Sequence, residues 1–244
     1  MSPRITGATA RRVLAQLRRD HRTVALLLVM PMVLLGLLRW MYGDSPAFAR
    51  IGPALLGVLP FTVMFLVTSV ATLRERTSGT LERLLTMPMN KLDLLLGYGL
   101  AFGLVAVVQA TAATTLLLGG LGVDAAGPAW LLGVVAVLVA VLGSALGLFV
   151  SAFARSEFQA VQFLPAVVLP QFLLCGLLLP RDALDSTLHA VSNALPLSYA
   201  VEAMAEATTR STVTGDLVRD LGVIAGCALL ALFGGAATLR RRSA

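Results

Sequence analysis

Apolar residues fill six stretches, at about 23–42, 52–73, 94–118, 129–153, 160–179 and 221–239, and charged residues gather in the segments between them. Each stretch meets the roughly 20 mainly apolar residues that carry a helix across a hydrocarbon core. None alternates polar and apolar positions as a barrel strand does. A backbone in lipid must also satisfy its own hydrogen bonds, so the pattern predicts an all-α membrane bundle of six transmembrane helices. The chain of 244 residues reads as one transmembrane domain, 1–244, with no soluble domain and no sequence repeat.

Three polar segments break the pattern in different ways. The leader "TARRVLAQLRRDHR" puts Val13, Leu14 and Leu17 on one helical face and Arg11, Arg18 and Arg22 on another, with Arg12 and Arg19 beside them. Such a basic amphipathic helix belongs in the membrane interface. Between the second and third stretches lies a dense island, "TLRERTSGTLERLLTMPMNKL" (72–92). There Gly79 interrupts the helix leaving the second span, and Leu81, Leu84 and Leu85 oppose Glu82 and Arg83 on a short helix that Pro88 stops. An apolar stripe with a charged back is a knob for a partner's groove. In the outer segment 180–220, Leu184, Leu188, Val191 and Leu195 follow helical spacing until Ala194-Leu195-Pro196-Leu197 breaks the run, which predicts two short helices dipping toward the outer leaflet.

Composition agrees with a bilayer. Mean hydropathy is +0.86 and charged residues make up 13%, against roughly 25% in soluble domains. The net charge of +6 would suggest nucleic acid in a soluble chain, but here the basic residues flank apolar spans and set orientation instead. Arg4, Arg11, Arg12, Arg18, Arg19, Arg22, Arg74, Arg76, Arg83, Lys91, Arg155, Arg240, Arg241 and Arg242 fall on one side, and only Arg39, Arg50, Arg181, Arg210 and Arg219 on the other. The asymmetry places both termini in the cytoplasm. Ala47-Phe48-Ala49 imitates a signal-peptidase site, but the apolar stretch before it is long and Arg39, Trp40 and Tyr42 mark an interfacial anchor.

Candidate chemistry is sparse. Cys175 and Cys227 lie in apolar runs without metal-ligand spacing, and His21 and His189 are far apart, so no metal or catalytic site is expected. Ser144 beside Gly143 has no base in any span, which removes an intramembrane protease. A P-loop needs G-x-x-x-x-G-K-[ST], and the one lysine, Lys91, follows Asn90, so ATP hydrolysis by that route is excluded. Apart from Arg39, the six stretches hold no Asp, Glu, Lys, Arg or His, which argues against an ion-coupled carrier and for an apolar or amphipathic cargo. Gln109, Thr111, Thr114, Thr115, Gln162 and Gln171 can line a pathway or bond between helices. Gly99/Gly103, Gly143/Gly147 and Gly222/Gly226 are close-packing pairs, and Pro31, Pro60, Pro165 and Pro170 are expected to kink their helices.

The island resembles the cytoplasmic loop of type-2 ABC transporter permeases, particularly the antibiotic and multidrug exporter branch. The resemblance rests on Arg74-Glu75-Arg76, Gly79-Thr80-Leu81-Glu82, Leu84-Leu85 and Pro88. "SAFARSEFQAVQF" (151–163) and "GLLLPRDAL" with "NALPLSYAVEAM" (193–204) are similar to two further family segments, so the likeness covers roughly 10–240. It implies an exporter subunit of a bacterial plasma membrane, paired with a second permease half, identical or homologous. It also implies two copies of an ABC nucleotide-binding ATPase subunit, which hold the ATP and Mg while this chain binds no cofactor. Arg74, Glu75, Arg76, Gly79, Thr80, Glu82 and Arg83 would then form the coupling helix that enters the ATPase, and Pro180, Pro196 and Tyr199 an outer re-entrant hairpin. Alternatives at this stage are export of a lipid or glycoconjugate by the same scaffold, and a non-transporting membrane scaffold or sensor.

Overall fold

The computed structural model describes residues 2–78 and 91–241. Nine helices are described: α1 Pro3–Arg19, α2 His21–Tyr42, α3 Pro46–Thr77, α4 Lys91–Thr115, α5 Ala129–Ser151, α6 Glu157–Leu174, α7 Ser186–Asn193, α8 Pro196–Thr209 and α9 Gly215–Arg241. A π-helical turn, Leu116–Gly120, extends α4. Six of the helices (α2, α3, α4, α5, α6 and α9) are long and apolar enough to cross a membrane, as the hydropathy pattern predicts.

Their ends depart from the sequence expectation where apolar composition and helix limits disagree. The second span begins at Pro46 rather than 52, because proline needs no N–H in a first helical turn. At 32 residues α3 is about 48 Å long by the helical rise, so it projects beyond the hydrocarbon. The fifth span stops at Leu174 rather than 179, since Gly176 at φ +91° turns a still-apolar chain. The sixth begins at Gly215 rather than 221, and therefore takes in Asp216, Arg219 and Asp220. The expectation of a core span free of ionisable groups is corrected there, and Asp220 is 1% exposed.

Helix α5 is the central post, with α3, α4, α8 and α9 against it. The α3–α5 contact is the most extensive and depends on two glycines. A Cβ on Gly143 would stand 2.3 Å from the Phe61 carbonyl oxygen, and one on Gly147 would stand 2.4 Å from that of Phe65. Only glycine permits this approach, the use expected of a small-xxx-small pair. The other two pairs differ: Gly103, Gly222 and Gly226 face open space. Helices α2 and α6 are the least enclosed spans, each burying only a small part of its length within the chain.

The leader is helical and packs on α4, not on open lipid alone. Thr9, Ala10 and Val13 are buried, and a Cβ on Gly97 would stand 2.5 Å from the Thr9 Cβ and 3.0 Å from the Thr6 carbonyl oxygen, so α1 packs closely on α4 at that glycine. The Ser2 N–H donates to both oxygens of Asp93 at 3.1 Å, which anchors the start of α1 to that of α4. At the other chain end, Gly234 and Gly235 pack against Phe149 near the end of α5. The start of α1 and the last turns of α9 therefore lie at the end of the bundle that holds the C-terminal end of α3.

Candidate functional site

Helix α3 leads into the island, and its last turn presents Arg74, Glu75 and Arg76. These three consecutive residues reach three different helices. Arg74 forks onto Glu157 at the start of α6, with Nε and Nη2 donating at 2.8 and 3.0 Å, and its Nη1 lies 3.9 Å from Asp20 at the α1–α2 junction. Glu75 accepts from Arg12 of α1 at 3.0 Å, and the same Arg12 nitrogen donates to the Tyr98 hydroxyl of α4 at 2.9 Å. Arg76 donates to the Ser151 carbonyl at 2.9 Å. That carbonyl closes α5, where a cation meets the negative end of the helix dipole.

Asp20 is itself fixed. It accepts from the Thr23 backbone N–H at 3.2 Å and from the Thr23 hydroxyl at 2.7 Å, capping α2. These bonds, led by the hydroxyl and helped by the Arg74 charge, hold its carboxyl below its ordinary pKa. The lattice thus joins α1, α2, α3, α4, α5 and α6 around the root of the island. Gly79, Thr80, Glu82 and Arg83, also expected in the coupling helix, lie outside the described residues.

Beside the lattice is a cavity of about 500 Å3 between α1, α2, α3, α4 and α6. Leu26, Met30, Val63, Val67 and Val161 make it apolar along its length, and Asp20, Arg74 and Glu75 sit at its charged end. Its form suits a molecule with an apolar body and a polar head. A second groove of about 820 Å3 runs between α4 and α5, where Thr111 and Thr115 face Trp130 and Gly133.

The structure does not gather the sequence candidates for a pathway in one place. Gln109 is buried and donates to the Leu27 carbonyl of α2 at 2.8 Å. Pro31, four residues after Leu27, lacks the N–H that would fill this carbonyl, so Gln109 takes the missing donor's role. Gln171 donates to the Val167 carbonyl at 2.9 Å and accepts from the Leu197 N–H at 3.3 Å, joining α6 to α8. Thr111 faces the second groove, and Gln162 is exposed on α6.

At the opposite end, α7 and α8 are the two short helices expected between 180 and 220. Pro196 begins α8 and Pro180 precedes the 3-10 turn Arg181–Ala183. Tyr199 donates to the Asn193 carbonyl at 2.7 Å. The organiser is a residue that sequence reasoning counted only as a charge. Arg181, with its side chain 8% exposed, bonds Ser192 at 2.9 Å, Asn193 and Glu202, and stacks on the Tyr199 ring at 5.6 Å. Its partners lie 11 to 21 residues downstream, with no periodicity to betray them.

Comparison with known proteins agrees with this architecture. The model of the ABC-2 type transporter family matches residues 5–208, and the chain belongs to that family. It is 28% identical over 154 residues to ABC transporter G family member 20 of Dictyostelium discoideum, covering 63% of this chain and 21% of that protein. It is 31% identical over 138 residues to the inner membrane transport permease YhhJ of Escherichia coli (strain K12), covering 55% and 36%. It is 26% identical over 156 residues to the probable multidrug ABC transporter permease YbhS of the same strain, covering 62% and 41%. The matches span less than half the length of each of these relatives. The six apolar helices and the family together define a multi-pass membrane protein of the ABC-2 type transporter family.

Proposed function

We propose that this chain is the membrane half-subunit of an ATP-driven exporter that moves an apolar or amphipathic compound, of drug or antibiotic type, out of a bacterial cell. The observation that carries the reading is the end of α3, where Arg74, Glu75 and Arg76 are clamped to α6, α1 and α5 respectively. A push on the island would reach the bundle through all three. Helix α3 would pass it along its 32 residues as a lever that turns on the Gly143–Gly147 contact.

In this reading the island is the coupling helix and faces the cytoplasm with both chain ends. It enters an ABC ATPase subunit, present in two copies, which holds ATP and Mg. A second permease half, identical or homologous, completes the pathway. The cavity beside Arg74 and Glu75 supplies an inner-leaflet vestibule whose apolar walls and charged end fit an amphiphile. The multidrug wording in the name of one relative points the same way.

The test is purification of the tagged chain from its native membranes in mild detergent, with identification of co-eluting proteins and assay of ATPase activity. A P-loop subunit should co-elute, and Gly79→Pro or Glu82→Ala should abolish drug-stimulated turnover without changing insertion. A chain that elutes alone and without ATPase activity, or variants with unchanged stimulation, would sink the reading.

A further inference from the structure

At the α1–α2 junction the carboxylates are already committed and the guanidinium groups are not. Asp20 is held by Thr23 and Arg74, Glu75 by Arg12, and Glu157 by Arg74. Arg18, Arg19, Arg22 and Arg155 are exposed, and among the described residues none of their side chains has an acidic partner. One guanidinium fixes where they stand. Arg74 lies 2.8 Å from Glu157 and 3.9 Å from Asp20. It thus draws the flanks of Asp20 (Arg18, Arg19 and Arg22) toward Arg155, two residues before Glu157. Four cations without an acidic partner among the described residues thus stand within two chain positions of the two carboxylates that Arg74 bridges.

Apolar surface begins directly beside them. Leu26, one helical turn past Arg22 and about 6 Å along the axis, is 63% exposed, and Phe158, three residues past Arg155, is 73% exposed. Both belong to spans, α2 and α6, so this collar stands where hydrocarbon gives way to headgroups. Guanidinium groups fork onto phosphate oxygens and carry their charge at every physiological pH. The anionic partner that meets such a collar in a membrane is a phospholipid.

We propose that the Arg18–Arg19–Arg22–Arg155 collar is a binding site for the headgroup of an anionic glycerophospholipid, whose acyl chain lies against Leu26 and Phe158. The bound headgroup sits on the same ionic bridge that roots α3, so its charge competes with Glu157 and Asp20 for Arg74 and biases the position of the island's root. This rests on membrane placement alone and needs no ATPase.

The experiment uses the purified full chain in phosphatidylcholine nanodiscs with trace spin-labelled phosphatidylglycerol or spin-labelled phosphatidylcholine. The motionally restricted fraction of each probe is read by electron paramagnetic resonance. The wild type should favour phosphatidylglycerol about fivefold at low salt, and the preference should fall toward unity in 0.5 M salt, about five times the 0.1 M at which the Debye length is near 10 Å. The variant with Arg18, Arg19, Arg22 and Arg155 all changed to Gln should lose it, whereas Arg210→Gln at the far end should keep it. The salt series needs no variant and stands if the quadruple change disturbs folding. Equal restriction of both probes by the wild type would overturn the proposal, as would a preference that survives in the quadruple variant. An unselective wild type whose quadruple variant loses a co-purifying ATPase would assign the collar to that protein instead.

Discussion

Pro31 and Gln109 make one structural unit although 78 positions separate them in the chain. A proline inside a span removes the donor for the carbonyl four residues back, and lipid offers no water to replace it. Gln109 fills that carbonyl from a neighbouring helix at 2.8 Å. Changing Gln109→Leu should destabilise the fold by about 0.5–2 kcal/mol, the range spanned by hydrogen bonds between membrane helices in folded proteins and model peptides. The cost should shrink in a Pro31→Ala background, where the helix supplies its own N–H to Leu27. Unfolding titrations in mixed micelles on the two single variants and the double variant would check this. An undiminished cost in the Pro31→Ala background would mean that Gln109 acts through packing instead. The sequence offers Gln109 as a polar residue in a span, but the carbonyl it serves becomes visible only when α2 and α4 are placed side by side.

Helices meet here through ties that sequence pattern cannot name. The six spans were legible because an apolar run of about 20 residues has one use in a bilayer, and α1 was legible from its basic amphipathic face. The Arg74-Glu75-Arg76 motif was legible too. Its partners were not, since Arg12 lies 63 residues before Glu75 and Glu157 lies 83 residues after Arg74. Arg181 escaped notice for the same reason, as its binding set is assembled by a turn at Gly176 and two short helices. The link from α1 to α3 can be tested directly. Arg12→Glu and Glu75→Arg should each lower the thermal midpoint of the purified chain, and the charge-reversed pair should recover part of the loss. A coupling of about 1 kcal/mol is expected for a pair that is neither fully exposed nor fully buried. Strictly additive effects would show that the 3.0 Å contact contributes nothing to stability.

At the scale of the whole molecule, enclosure is uneven, and the unevenness indicates where the proposed second half would sit. Helices α3 and α5 bury more than half of their apolar windows within the chain, while α2 and α6 bury 17% each. Exposed apolar surface alone is no argument in lipid, which solvates leucine as well as another helix does. The stronger point is that the cavity beside Arg74 and Glu75 has Leu26 and Met30 of α2 on one wall and Val161 of α6 on another. A charged end that opened sideways into hydrocarbon would be costly. A second permease half laid across α2 and α6 at the level of Leu37 and Leu169, past the lipid seat at Leu26 and Phe158, would close the rest of that opening and double the vestibule. Single cysteines at Leu37 on α2 and at Leu169 on α6, both exposed, should therefore cross-link between copies in native membranes, in a chain also carrying Cys175→Ser and Cys227→Ser. If the second half is a homologous chain instead, the same cysteines should cross-link to that chain. A cysteine at Val134, on the α4–α5 groove, should stay monomeric under the same oxidant. Cross-linking at Val134 and none at Leu37 or Leu169 would move the pairing face to the other side of the bundle. The vestibule would then have to be closed within one chain.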